Sequence, residues 1–273
     1  MTISNIPGSF SVQSSLTALA NTEQLLQKTQ QQLSTGKSVN SPSDNPTAFY
    51  AAQAFLQQAS DLSSLKDNIS TSLTTVSSTT SSISSVSQVV QQLQGIAAQA
   101  SGTTDTTVRA GLASQYNALL PQLDQLVNDA TFNGTNLLNN TSNSLTVNFN
   151  ANNTSQLTIP GVDITSSGLN IASAANGFAT TADINAANSQ LLNAQSTLST
   201  TAASFGGSAT LIQTNQDFTS NLINNLQTAS DNLTVGDPNE EAANLLALQA
   251  QNQLGVVSLS ISGQLSQSIL KLF

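Results

Sequence analysis

From residue 62 onward, every seventh position is apolar: Leu62, Ile69, Val76, Ile83, Val90 and Ala97. Three residues after each stand Leu65, Ser72, Thr79, Val86, Leu93 and Ala100. An α-helix turns every 3.6 residues, so apolar positions at alternating steps of three and four form one stripe along it, and a stripe this long needs a partner helix. The chain supplies one further on. Ile184, Leu191, Leu198, Phe205, Ile212, Thr219, Leu226 and Leu233 repeat the seven-residue step and are apolar except for Thr219. Their companions Ala187, Ala194, Thr201, Ser208, Asn215, Leu222 and Ala229 are mostly small or polar, which predicts a narrow, closely packed seam. The chain is therefore expected to be mainly α, with a long antiparallel α-helical coiled-coil hairpin at its centre.

Between the two seams, Val108, Leu112, Tyr116, Leu119, Leu123, Leu126 and Ala130 step by three and four, predicting a shorter helix that Pro121 kinks or weakens. From Phe132 to Ile171 the pattern changes. Leu145, Val147 and Phe149 alternate with polar residues, as do Leu157 and Ile159 after an Asn-rich turn, so a small β-hairpin region is expected at the far end, with a further extended piece at Val162 and Ile164. At the start, Val12, Leu16, Leu19, Leu26 and Leu33 keep a heptad register broken by Glu23 and Gln30. At the finish, Leu254, Val257, Ile261, Leu265, Ile269 and Leu272 step by three or four. Gly36 to Pro46 and Gly236-Asp237-Pro238 punctuate the joins. Residues 1–42 with 237–273 are expected to form a terminal two-helix unit, and 43–236 a coiled-coil domain containing a β-rich segment at 132–171.

Composition narrows the function. Charged residues make up 7% of the chain and hydrophobic ones 38%, and the net charge is −9. A typical soluble protein has roughly 25% charged residues, so this chain has little charge repulsion to keep copies apart. Binding nucleic acid needs clustered Lys and Arg to displace counterions, and only five such residues are present. With no His and no Cys, the commonest general base, thiol nucleophiles, usual zinc ligands and disulfides are all missing. No stretch approaches the roughly 20 apolar residues that span a bilayer, and the first thirty lack the basic start and apolar block of a cleaved signal peptide. Export would use an uncleaved signal.

Candidate chemical features read as structural. Glu240 and Glu241 suit the first turn of a helix capped near Asp237, where acids complement the dipole. Gly206-Gly207 lacks the Lys and preceding strand of a phosphate loop, and close helix approach is its expected role. Gly134 and Gly161 read as turn residues. The Asn-x-Ser/Thr triplets are what a Ser/Thr/Asn-rich chain produces by accident. A carboxylate hydrolase would need two converging acids, and the heptads place no such pair. No enzyme activity, catalytic residue, cofactor or metal site is expected. The two ends remain, with apolar faces and almost no core of their own.

Those ends carry a resemblance. Leu33-Ser34-Thr35-Gly36-Lys37, then Asn40-Ser41 and Ser43-Asp44-Asn45, are similar to the N-terminal signature of bacterial flagellins, in which a helix ends in Leu-Ser-Ser-Gly and a polar spoke follows. Phe132-Asn133-Gly134 with Leu137-Leu138 resembles that family's entry into its hairpin, and Ser167-Gly168-Leu169-Asn170-Ile171 its exit. Glu241, Ala243, Asn244, Leu245, Gln249, Gln253, Gly255, Leu259, Gln264, Leu270 and Leu272 fit its C-terminal motif without a gap. Ile3-Ser4-Asn5-Ile6-Pro7 departs from the family's Ile-Asn-Thr-Asn start. Asn45-Pro46 resembles the hook-filament junction protein, a flagellin relative, which is the alternative function.

The resemblance implies a secreted structural subunit that polymerises with itself into the extracellular flagellar filament for swimming, exported through the type III apparatus, with no large outer domain. It implies an export chaperone and hook-associated junction and cap proteins as partners, and neither nucleic acid nor membrane. The terminal helices would form the inner tube, with Leu16, Leu19, Leu26, Leu33, Leu254, Ile261, Leu265, Ile269 and Leu272 at the polymerisation interface and Gly36, Asn40, Ser41, Ser43 and Asp44 in the spoke. It further places Gln92, Ile96 and Gln115 where flagellins that stimulate the animal innate receptor carry Arg, Leu and Glu.

Overall fold

The computed structural model describes residues 7–270, and side chains at 12–265, 267 and 268. Among these, five helices and one two-stranded sheet follow in order: α1 Pro7–Thr35, α2 Pro46–Ser101, α3 Thr106–Asp129, β1 Ser144–Asn148, β2 Gln156–Pro160, α4 Thr181–Thr234 and α5 Pro238–Leu270. They form two compact units, one drawn from Met1–Ala59 and Asn224–Phe273, the other from Ser60–Ile223. Helices α2 and α4 each contribute to both.

The unit of residues 60–223 is built on the expected seams. On α2, Leu65, Ile69, Val76, Ile83, Val86, Val90, Leu93, Ala97 and Ala100 are buried, answered on α4 by Ile184, Leu191, Leu198, Phe205 and Ile212 with the small Ala187 and Ala194 between them. The helices run antiparallel: Ser87 meets Gln195, whose Nε2 donates to the serine Oγ at 2.8 Å, while Gln94 donates to the carbonyl of Leu191 at 3.3 Å. Polar members of the stripe are buried too. Thr75 and Thr79 satisfy their hydroxyls on the carbonyls of Thr71 and Thr75, one turn back. Toward the end of α4 the buried line moves on by one residue, to Ile223 in place of Leu222. A straight helix drifts by about 20° per heptad against a strict seven-residue repeat, which accounts for the shift.

Helix α3 starts at Asp105, whose Oδ1 accepts from the backbone N–H groups of Thr107 at 2.8 Å and Val108 at 3.3 Å. Its buried line is Arg109, Ala113, Tyr116, Leu120, Leu123 and Val127. That corrects the sequence reading by one position at several points: Val108 is 49% exposed, and Leu112, Leu119 and Leu126 are half-buried. The helix runs through Pro121, which is exposed.

Side chains, more than a sheet, organise the stretch after α3. Phe132 and Thr135 exchange backbone hydrogen bonds around Asn133 and Gly134, both at positive φ (48° and 78°), a turn that suits Asn-Gly. β1 and β2 pair antiparallel with Val147 opposite Leu157, and the expected extended piece at Val162 and Ile164 donates to the carbonyls of Leu137 and Leu138 at 2.8 Å each. Asp124 on α3 holds the following loop through Ser166 N at 2.6 Å and Ser166 Oγ at 2.9 Å. Asn117 accepts from Ala174 N at 2.8 Å. The chain then makes a left-handed turn, with Asn176, Gly177 and Phe178 at φ 48°, 67° and 60°. Positive φ is costly for a bulky residue. Here it puts Phe178 fully into the core, edge-on to Tyr116 with ring centroids 5.3 Å apart. Thr180 and Asp183 then exchange hydrogen bonds as a capping box for α4, and the Thr180 contacts hold the Asp183 carboxyl below its usual range.

Arg109 is 6% exposed, and its charge is met by neutral acceptors. Nε donates to the Thr103 carbonyl at 2.7 Å, one terminal nitrogen to the Ala179 carbonyl at 3.2 Å, and the other lies 3.5 Å from Thr181 Oγ1. One guanidinium thus pins the α2–α3 turn and the start of α4 to α3. Nothing in the composition or periodicity singles it out.

Candidate assembly surface

In the unit built from the chain ends, α1 packs against α5. On α1 the inward line is Ser15, Leu19, Thr22, Leu26, Thr29 and Leu33, with the two threonines buried and the others half-buried. Glu23 and Gln30, which break the heptad in sequence, are exposed beside it. Thr22 is satisfied by donating to the Ala18 carbonyl at 2.9 Å. The seam is continuous, and threonine conceals it. Leu19 approaches α5 at Gly255 so closely that a Cβ there would meet Leu19 Cδ1 at 3.2 Å.

Helix α5 carries two apolar faces. Leu245, Leu248, Asn252, Gly255 and Leu259 are half-buried, on the line that includes the Leu19 contact. A second line is open: Leu246 is 67% exposed and Leu254 70%, and Val256, Val257, Ile261 and Leu265 each exceed half. No described residue of α5 is fully buried. Of the interface residues expected from sequence, Leu254, Ile261, Leu265 and Leu16 lie exposed, whereas Leu19, Leu26 and Leu33 are half-buried on the inward line of α1. The Ile269 side chain and Leu272 lie outside the described residues. Leu25 on α1 and Leu246 and Val256 on α5 add exposed apolar surface that the periodicity did not mark. Full burial of one Leu or Ile side chain is worth roughly 1.5–3 kcal/mol, and a row of them left in water makes this face the candidate interaction surface.

The linkers at the base of this pair are zipped together. Lys37 pairs antiparallel with Val235, Gly236 N donates to the Gly36 carbonyl at 3.1 Å, and Val39 N donates to the Thr234 carbonyl at 3.2 Å. Gly36 sits at φ 68°, which turns the chain sharply as α1 ends. Of the other spoke residues, Asn40 Nδ2 donates to the Lys37 carbonyl at 2.8 Å, Ser41 and Asp44 bond each other, and Ser43 is exposed. Asn45 caps α2 by accepting from Ala48 N at 3.1 Å, with Pro46 as its first residue. At the other join, Asp237 accepts from Asn239 N at 2.8 Å, and Glu240 and Glu241 fill the first turn of α5.

The remaining candidates are placed as follows. A Cβ on Gly206 or Gly207 would meet nothing within 4 Å, so the expected close helix approach there is wrong: α4 passes both glycines in open space, and nothing in the structure explains them. Gln92 and Gln115 are exposed and Ile96 is half-buried. Among the described residues there is no group of three or more His, Cys, Asp or Glu side chains that could hold a metal ion. Nor does any described helix have the length and apolarity to cross a membrane.

One unit pairs the terminal helices and leaves an apolar face of α5 open, and the other is a long coiled coil: the class is a mainly helical protein with a small two-stranded sheet. Residues 9–143 match the bacterial flagellin N-terminal helical region and residues 184–273 the bacterial flagellin C-terminal helical region. The chain belongs to the bacterial flagellin family. It is 28% identical to flagellin FljM of Caulobacter vibrioides over 93% of both chains, and 27% identical to a flagellin of Brucella melitensis over 94% of this chain and 95% of that one. A putative flagellar hook-associated protein from Vibrio parahaemolyticus shares the fold, with a TM-score of 0.59 and 16% identity over 70% of this chain and all of that one.

Proposed function

We propose that this chain is the structural subunit of a bacterial flagellar filament, polymerising through its paired terminal helices. The observation that carries the reading is the second apolar face of α5, which α1 leaves uncovered while occupying the first. A neighbouring copy supplies what one copy cannot. In this reading residues 1–42 and 237–273 form the inner tube and 43–236 the outer tube, including the β-rich segment. Leu16, Leu254, Ile261 and Leu265 meet the neighbour directly, while Leu19, Leu26 and Leu33 hold α1 to α5. The role is structural and not enzymatic.

The chain reaches the filament by export. On the way, a chaperone covers the segment from Leu245 to Phe273, because an apolar stripe on a weakly charged chain aggregates until it is buried. Junction and cap proteins of the hook meet the same surfaces at the filament ends. The junction role as an alternative rests on Asn45-Pro46, and the 16% likeness to a hook-associated protein speaks only for the fold.

Negative-stain microscopy of the purified chain tests the reading. Long filaments are expected from the full chain, and none after removal of residues 1–35 or 255–273, although the 60–223 unit stays helical. Filaments formed normally by either truncated chain would overturn the inner-tube assignment, and a complex of fixed stoichiometry in place of filaments would favour the junction role.

A further inference from the structure

Asp44 stands in the linker between α1 and α2, and both its carboxylate oxygens are engaged. Oδ2 accepts from Asn40 N at 3.0 Å, Ser41 N at 2.9 Å and Ser41 Oγ at 3.0 Å. Oδ1 faces Lys28 Nζ at 3.0 Å, with the Asp44 side chain only 15% exposed. Three donors belong to the linker itself and the fourth to α1, two turns before that helix ends. The carboxylate therefore folds the linker back onto the helix it has just left. The linker's other edge is held by the returning chain through Gly36, Lys37 and Val39. Gln32 adds a bond from α1 to the Ser38 carbonyl at 2.7 Å.

We propose that Asp44 is a positioning residue of the assembly: acting through Lys28, it fixes the direction in which the linker meets α1, and protonation in acid releases that hold. The proposal rests on the filament reading. Because α1 carries α5 and the two linkers are zipped, the angle set at Asp44 determines how the open stripe of α5 is presented to the next copy. Lys28 is the charged group that faces Asp44 from α1. From the linker and the start of α2 its neighbours are the neutral Asn40 and Ser41. Among the described residues no other charged group is in contact with the Asp44 carboxylate.

Lys28 first, with the linker N–H and hydroxyl donors adding to it, holds the Asp44 carboxyl at about 2 against an ordinary 3.8, overcoming burial, which pushes the other way and is the second-largest influence. A depressed carboxyl stabilises the fold fully above its unfolded value and loses that contribution as pH falls through the folded one. The hold is therefore complete at neutral pH and fails as pH drops from about 4 through about 2. Without Lys28 it fails earlier in that descent.

The test uses the full chain with Lys28→Met, Asp44→Asn and the double variant, following filament disassembly by light scattering from pH 7 to pH 2. Amide exchange at Asn40 and Ser41 is followed in the full-length monomer. The midpoint for Lys28→Met filaments is expected at least about half a pH unit above wild type, less than the ~1–3 units a facing charge can move a carboxyl, because water screens the 46% exposed Lys28 side chain. In the Asp44→Asn background the Lys28→Met change should add nothing. The two amides should exchange at least about tenfold faster in Asp44→Asn than in wild type. Coincident wild-type and Lys28→Met midpoints, an equal Lys28→Met shift in both backgrounds, or unchanged amide exchange would each overturn the proposal. Wild-type chains that form no filaments at neutral pH would instead defeat the filament reading, and the proposed role in assembly with it.

Discussion

The two helix pairings of this molecule are written in the same heptad language and are buried to different depths. Where α2 meets α4, Ile69, Val76, Ile83, Val90, Ile184, Leu191 and Ile212 are almost wholly inaccessible. Where α1 meets α5, the buried side chains among the described residues are two threonines, and α5 leaves Leu254, Val257, Ile261 and Leu265 more than half exposed. The coiled-coil unit is completed by its own chain, with α3, the hairpin and the loop before α4 covering the long helices. The terminal pair is only half of a core. On the proposed reading stability resides in one region and association in the other, and a substitution should betray which region it lies in by which property it changes.

The widest separation is expected between Leu198→Ala in the α2–α4 seam and the triple change Leu254→Ser, Ile261→Ser, Leu265→Ser on α5. The first should cost about 2–5 kcal/mol of monomer stability by denaturant melting. The second should abolish filaments in the microscope while each change alters monomer stability by no more than about 0.5 kcal/mol. A triple variant that unfolds the monomer would erase the distinction. Next in size is Arg109→Met, which leaves the Thr103 and Ala179 carbonyls unpaired in the coiled-coil unit and should cost about 2–3 kcal/mol in the same melt. Tyr116→Phe should act in the opposite direction. Its hydroxyl is buried without a partner and pushed up to about 12 by desolvation, so removing it should raise stability by about 1 kcal/mol, read as a higher denaturation midpoint. The smallest effect is expected from Gly207→Ala, which fills open space in a helix and should stabilise the coiled-coil unit by about 0.5–1 kcal/mol. Destabilisation there would reveal a close contact that the monomer lacks.

How much of this was legible in the sequence depends on what kind of residue does the work. Leu, Ile and Val at seven-residue steps marked the α2–α4 seam almost residue by residue, because burial and periodicity say the same thing there. The α1 seam was harder to read, since Thr22 and Thr29 occupy inward positions and Thr22 bonds its own helix, so a polar letter stands where an apolar one is sought. The hairpin was visible in the alternation of Leu145, Val147, Leu157 and Ile159. Its fastenings were not, because Asp124 and Asn117 act on backbone groups distant in sequence, which no local pattern records. Leu254, Val257, Ile261 and Leu265 step by three and four in the sequence, but only the packed structure shows that they lie open while α1 covers another face of α5. Lys28 and Asp44 illustrate the same limit: the spoke motif includes the carboxylate, and the cation that faces it sits in the preceding helix, outside the motif.

On the proposed reading the coiled-coil unit is finished within one copy and the terminal pair only between copies. Backbone hydrogen exchange on the full chain, measured as monomer and again as filament, tests it most directly. Amides of α2 and α4 between residues 65 and 212 should be strongly protected in both states, whereas those of α5 from 246 to 265 should exchange freely in the monomer and become protected in the filament. Equal protection of α5 in the two states would contradict the account.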